Sequence, residues 1–368
     1  MMKNKKKKHE YYDIRNDMKM FPKAWCFMVM SRRGPGKTYS TLRWCIEDDI
    51  RFAFIKRTKD DVDLLVKGDD PRNTELTEEN KIDVSPFKPL NRDFGWNIHP
   101  RKIESGLAGF YDYEEFDGDI KPTKLRGYCV AGNMAMKVKG MDLSDVDAMI
   151  FDEFIARAYE YSSKNEGDAI LDLYMTLMRD RDVRGRDDLK LIMLANAVEV
   201  NNPMAQIMEV VDIIAEMDLT GQEYYYNEYR GLVIHLLPEA EEDEEKVKPG
   251  IQRLMEKTRW GASSFGGHFS YNDFTALGKE KLKGHKCILK IKLREREFYL
   301  YKNLNKYFLS EIKGQCSIEY NLNRENQQKL FWQDWGVDLR QAAIEDMVKF
   351  GCYTAYDLII NYKKNFKV

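Results

Sequence analysis

The octapeptide Ser31-Arg32-Arg33-Gly34-Pro35-Gly36-Lys37-Thr38 constrains this 368-residue chain more than any other feature. An apolar run, Trp25 to Met30, leads into it. Behind it, Lys37 to Asp49 carries apolar residues Tyr39, Leu42 and Ile46 at helical spacing. Strand, glycine turn and helix in that order match the P-loop pattern G-x-x-x-x-G-K-[ST], with Ser31 standing where the first glycine is usual. In that pattern a tight turn converges backbone N–H groups on phosphate oxygens at a helix N-terminus. A lysine meets the β/γ charge, and a hydroxyl takes Mg²⁺. The expected nucleotide-binding residues are therefore Ser31, Arg32, Arg33, Gly34, Pro35, Gly36, Lys37, Thr38 and Tyr39, with Mg²⁺ accompanying the nucleotide.

A phosphate loop that hydrolyses its nucleotide also needs an acid at the end of a buried strand. Ala148-Met149-Ile150-Phe151-Asp152-Glu153 supplies one: Asp152 is expected to hold Mg²⁺ with Thr38, and Glu153 to polarise the attacking water. Adjacent acids point to a hydrolase rather than to a small-molecule kinase, which need not activate water. Asn80-Lys81-Ile82-Asp83 spells a guanine-reading tetrapeptide. It precedes the metal-binding strand, the wrong order for a GTPase. Arg179, Arg181, Arg184 and Arg186 read either as a solvated helix end or as the lid of a nucleotide kinase.

Strands are expected at Phe52 to Ile55, Ala148 to Phe151 and Leu189 to Ala195, and a helix at Ile170 to Met178. Their alternation implies an α/β domain with a mostly parallel sheet flanked by helices. Residues 1–23, with Lys3 and Lys5 to Lys8, read as a basic N-terminal arm, and residues 24–203 as the P-loop domain. Short hairpins and loops such as Gly127 to Gly132 are expected between Lys67 and Met141. Residues 204–227 read as a linker and 228–368 as a smaller β-rich α+β domain, with strands at 229–237, 287–293, 298–301 and 307–312 and helices from Gln327 onward. Basic and acidic residues nearly cancel, 59 against 61, so any contact with nucleic acid must come from local patches. The six cysteines form no C-x-x-C, which argues against a disulfide framework or structural zinc, and no apolar run approaches a membrane span. An intracellular chain with reduced thiols and no membrane partner is expected.

These residues resemble one family, the encapsidation ATPases of small phi29-like tailed phages, relatives of terminase large subunits among the additional-strand, catalytic-glutamate P-loop ATPases. The resemblance spans roughly residues 24–210. It rests on the phosphate loop, Phe54-Ile55-Lys56-Arg57-Thr58-Lys59, Ile150 to Ile155, Met178-Arg179-Asp180-Arg181, and Ala195-Asn196-Ala197-Val198 leading to Asn202-Pro203. It implies a homomeric ring, a pentamer, docked on the portal of a procapsid in the host cytoplasm, hydrolysing ATP between subunits and driving double-stranded DNA inside. It makes Glu153 the catalytic glutamate and Asn196 the residue coupling nucleotide state to movement. Arg179 or Arg181, with Lys59 as a second candidate, becomes the positive charge offered to a neighbouring subunit. Its C-terminal part resembles an RNase H-type nuclease that has lost its carboxylates, with Asp273 and Glu297 the nearest acids here, so no nuclease activity is expected.

Two regions are candidates for holding DNA. Lys137 and Lys139 stand where the family has a loop facing the ring's channel. Lys279 to Lys313 carries 11 basic and 4 acidic residues with Tyr299, Tyr301, Tyr307 and Phe308 interleaved, a composition suited to DNA or to a structural packaging RNA. The acidic stretch Glu239 to Glu245 reads as an exposed loop. Two other classes stay open on the residues alone: a P-loop nucleoside or nucleotide kinase, and a non-enzymatic, nucleotide-switched nucleic-acid-binding module.

Overall fold

The computed structural model describes residues 11–68, 84–134, 141, 143–156, 165–238, 250–255, 257–258, 261, 269, 272 and 274–366. The chain divides into two compact units. One comprises the chain up to Met208 together with Thr220–Tyr271, and the other Glu209–Leu219 together with Asn272–Val368.

The large unit is built on strands that are apolar along their whole length, which buries them on both faces and favours parallel pairing under helices. In β1 (Cys26–Ser31) every residue is buried, as are most of β2 (Phe52–Lys56), β6 (Ala148–Asp152) and β7 (Lys190–Asn196). With β3 (Ile98–Glu104), β4 (Leu107–Phe116), β5 (Asp119–Ala131), β8 (Tyr224–Asn227) and β9 (Leu232–Leu236) they form a nine-stranded sheet in the order β3-β4-β5-β2-β6-β7-β1-β9-β8. The run β5-β2-β6-β7-β1-β9 is parallel throughout, and antiparallel strands close each edge. The C-terminal ends of β1, β2, β6 and β7 therefore share one edge of the sheet, where ligands bind in folds of this kind.

Three sequence expectations change here. Residues 11–23 are not a solvated arm: the helix Ile14–Met20 is capped by Asp13, and Ile14 and Asp17 are buried against the large unit. Gly127, read as a loop glycine, lies within β5, and the Phe52 ring packs where a Cβ would stand, 2.6 Å away. The strand expected at 229–237 as the start of the second domain is β9, which pairs with β1, and the linker region holds helices at Pro203–Ile207 and Val211–Thr220 and strand β8. Alternating apolar text marks a strand but does not say which sheet it joins.

The smaller unit has a five-stranded sheet, β13-β10-β11-β12-β14, formed by β10 (Lys286–Leu293), β11 (Arg296–Asn303), β12 (Lys306–Ser310), β13 (Glu319–Asn321) and β14 (Val348–Phe350). Helices Glu325–Phe331, Val337–Ile344 and Tyr353–Ile360 pack on it through Phe331, Leu339, Leu358 and Ile359. Residues 211–219 of helix Val211–Thr220 belong to this unit: Asp212 accepts from Thr354 N at 2.7 Å and pairs with Arg296 at 2.6 Å.

In the large unit the N-terminal helix is fastened through a buried polar cluster. Asp17, 1% exposed, accepts from the Tyr12 hydroxyl at 2.8 Å and the Tyr224 hydroxyl at 3.3 Å, and its Oδ2 lies 2.9 Å from Nδ1 of the buried His235. Burial and the Asp17 carboxylate hold the Tyr12 phenol well above its ordinary value. Asp17→Ala strands two polar partners in the core, so we expect a loss of about 3–5 kcal/mol in denaturant unfolding, and a smaller loss for Asp17→Asn, which keeps an acceptor.

Candidate nucleotide site

The turn from β1 into helix Lys37–Glu47 uses glycine where backbone geometry demands it. Gly34 and Gly36 have φ of 95° and 82°, in the left-handed region that L side chains avoid. At Gly36 there is a second reason: a Cβ would come within 2.5 Å of the Tyr11 ring, which lies on the loop. Tyr12 N donates to Pro35 O at 3.0 Å, so the segment before the helix Ile14–Met20 braces the turn from outside.

Ser31 departs from the usual glycine without disturbing the turn, because it is the last residue of β1 and is not among the positive-φ residues. Its hydroxyl holds the lysine instead. Lys37 Nζ donates to Ser31 Oγ at 2.5 Å and to Arg32 O at 3.3 Å, and Ser31 Oγ donates to Arg32 O at 2.6 Å. Lys37 is only 8% exposed, and burial lowers its pKa to about 8 against the opposing pull of Asp152 and Glu153.

Parallel pairing brings the distant acid to this loop. Asp152 ends β6, and Thr38 Oγ1 donates to its Oδ1 at 2.8 Å across 114 positions of sequence. Asn196 ends the intervening strand β7, in register with Ser31, and Ala197 N donates to Ser31 O at 2.9 Å. Glu153 is exposed at the same edge and has a left-handed φ of 54°. Tyr39, one residue past Thr38, donates to Asp93 Oδ2 at 3.1 Å, and its ring centroid lies 5.4 Å from that of Tyr11. Arg57, which sequence reasoning quoted but gave no task, reaches this edge from the end of β2 and donates to Glu153 O at 2.9 Å.

The arginines separate. Arg181 is 4% exposed and committed within the chain, donating to Val146 O, to Asp187 O at 2.7 Å and to Asp147 Oδ1 at 3.0 Å. Arg184 and Arg186 bind Ser144, Arg186 also binding Asp147 at 2.7 Å. All three grip the start of β6, the edge opposite Asp152, so the geometry is neither a lid over the loop nor, for Arg181, a side chain available to a neighbour. Arg179 is exposed just after helix Glu166–Leu177, and Lys59 is exposed at the start of helix Lys59–Gly68.

Lys137, Lys139, Asp273, Asn80 to Asp83 and Glu239 to Glu245 lie outside the described residues. In the smaller unit Tyr299, Tyr301 and Phe308 are 6%, 5% and 2% exposed and pack on one another, so they are not faces for stacking bases. Lys290 is tied to Glu297 at 2.7 Å and Glu319 at 3.3 Å, whereas Lys281, Lys283, Lys286, Lys302 and Lys306 are exposed.

Fold and site together define an α/β protein with glycine turn, lysine, hydroxyl and acid gathered at the C-terminal edge of a mostly parallel sheet. The family model of the podovirus DNA encapsidation protein (Gp16) matches residues 120–320, and the chain belongs to that family. Two solved structures share its fold. The Phi-28 gp11 DNA packaging motor is 19% identical, with a TM-score of 0.57 over 93% of this chain and 94% of the other. The bacteriophage Phi-29 viral genome packaging motor assembly is 17% identical, with a TM-score of 0.57 over 93% and 95%. The comparison with curated proteins gives no match.

The lowered pKa of Lys37 would make the binding of a phosphate ligand at this loop proton-linked. Phosphate oxygens favour the charged amine, so between about pH 8 and 10.5 binding of ATP is expected to take up a proton, and below pH 8 the uptake fades because Lys37 is already charged. Calorimetry at pH 9 in two buffers of different ionisation enthalpy reads this directly, and Lys37→Arg abolishes it. The same displacement means the unfolded chain binds more protons, so Lys37 costs stability fully below pH 8 and the cost disappears as pH rises to 10.5.

Proposed function

We propose that this protein is an ATP-driven motor that packages viral double-stranded DNA. The observation that carries this reading is the Thr38–Asp152 hydrogen bond, which joins the phosphate loop to the strand-end acid, in a chain of the DNA encapsidation family. Backbone N–H groups of residues 32–38 and the Lys37 amine would bind the triphosphate. A hydroxyl and a carboxylate oxygen 2.8 Å apart suit a hard cation, so Thr38 and Asp152 would hold Mg²⁺, which when bound screens the phosphate charge. Among the described residues no cluster of three or more His, Cys, Asp or Glu competes with them for a metal.

Glu153 follows the metal-binding acid and is exposed at the loop edge, which fits a carboxylate that orients water and accepts its proton as ADP and phosphate form. Asn196, between the two strands that carry loop and acid, would sense the γ-phosphate. Arg179 would act across an interface between copies in a ring, a pentamer seated on the capsid portal, with Lys59 assisting. A charge supplied in trans is worth about 10³–10⁵ in rate, so an isolated subunit should be slow. DNA of any sequence must pass, so lysines should meet phosphates rather than base edges. Lys137, Lys139 and the exposed lysines between 281 and 306 are the residues proposed for that contact, with a structural RNA a further ligand for the latter. We also read the smaller unit as a vestigial RNase H-type domain, a reading supported by its antiparallel β10-β11-β12 with β13 added parallel to β10.

Two measurements test this. Glu153→Gln should retain nucleotide binding while phosphate release, with DNA and procapsids present, falls by at least about 10²-fold; turnover at the parent rate would remove Glu153 as the base. Mixing Arg179→Ala with Glu153→Gln subunits should restore part of the activity that each lacks alone. No recovery at any ratio would count against action between subunits.

A further inference from the structure

Glu153 occupies the left-handed backbone region that non-glycine residues adopt only at an energetic cost, φ being 54°. Such a conformation persists only where its surroundings over-determine it. Here they do so from both neighbouring strands. On the β7 side, Phe154 N donates to Leu194 O at 3.2 Å and the Phe154 side chain is fully buried. On the β2 side, the Arg57 guanidinium spans the turn: Nη2 donates to Glu153 O at 2.9 Å and lies 3.4 Å from Phe154 O, while Nε donates to Glu166 Oε1 at 2.5 Å. Glu166 is 8% exposed at the start of helix Glu166–Leu177, and the guanidinium carbon lies 5.9 Å from the centroid of the Phe151 ring. The fork thus links β2, the turn after β6 and that helix, reaching two backbone oxygens at the turn and the Glu166 carboxylate.

We propose that Arg57 is a positioning residue for hydrolysis, holding the Glu153 backbone so that its carboxylate faces the reacting phosphate. The inference rests on the reading of Glu153 as the water-activating base. The contacts described for Arg57 are with the turn after β6, Glu166 and the Phe151 ring, so its loss should affect turnover and leave nucleotide affinity unchanged. Lysine cannot replace it, because an ammonium on a flexible stem lacks the planar fork that satisfies Glu166 and the turn carbonyls together.

The test uses the full chain with DNA and procapsids, measuring single-turnover ATP hydrolysis and, separately, the affinity for a fluorescent ATP analogue. Arg57→Lys should lower the hydrolysis rate about tenfold or more with affinity within about twofold of the parent, and should cause no additional loss when combined with Glu153→Gln. Parent-like turnover, an equal fall in affinity and rate, or the same fold-loss repeated in the Glu153→Gln background would each overturn the proposal. Should Arg57→Lys fail to fold, Glu166→Gln removes the charge at the other end of the fork while keeping an acceptor. It should show a smaller rate loss that likewise vanishes in the Glu153→Gln background, and parent-like turnover of Glu166→Gln alone would overturn the proposal equally. A Glu153→Gln chain as fast as the parent would instead overturn the reading beneath, an outcome the two fork variants do not produce.

Discussion

Everything at the candidate site depends on the parallel pairing of β1, β7, β6 and β2 in that spatial order. Parallel strands bring like ends together, so a turn at residues 32–36, an acid at Asp152, an amide at Asn196 and a guanidinium at Arg57 arrive on one edge, though up to about 165 residues separate them in sequence. The apolar length of these strands makes that edge rigid. Cys26 to Met30 and Ala148 to Phe151 are buried to 1% or less, so strand ends cannot drift without opening the core.

Within that frame, the charge arrangement is a waiting one. Lys37 is withdrawn from water, hydrogen-bonded to Ser31 and lowered to a pKa of about 8 although two carboxylates lie near it. Desolvation dominates because the amine is buried while Glu153 is exposed and interacts through a more polarisable medium. A polyanion arriving at the loop would supply the compensating charge that the protein itself withholds. Ser31 takes the place of a glycine and adds a hydroxyl that holds the amine until then, a role for which the strand conformation of residue 31 leaves room.

The smaller unit shows how composition misleads where packing decides. Between Lys279 and Lys313 aromatic and basic residues alternate as a nucleic-acid surface would require, but Tyr299, Tyr301 and Phe308 fill an apolar cluster and Lys290 is consumed by two glutamates. Arg181 is a parallel case in the large unit. As a letter in Met178-Arg179-Asp180-Arg181 it is interchangeable with Arg179, yet one is buried against Asp147 and the other exposed.

By itself the sequence determined the local elements: uninterrupted apolar runs name the parallel strands, glycines at 34 and 36 name the turn, and Lys37, Thr38, Asp152 and Glu153 name the groups from which the phosphate chemistry is proposed, because each follows from covalent geometry and side-chain type over a few residues. Only the tertiary structure decided what lies far along the chain but near in space. It set Tyr11 and Tyr12 against the loop, added β9 to the large sheet rather than the small one, made Gly127 a close contact for a ring instead of a turn, and placed Arg57 on the carbonyls of Glu153 and Phe154. Those outcomes depend on strand order and on which face each side chain meets, and a linear pattern of period two or 3.6 carries no information about either.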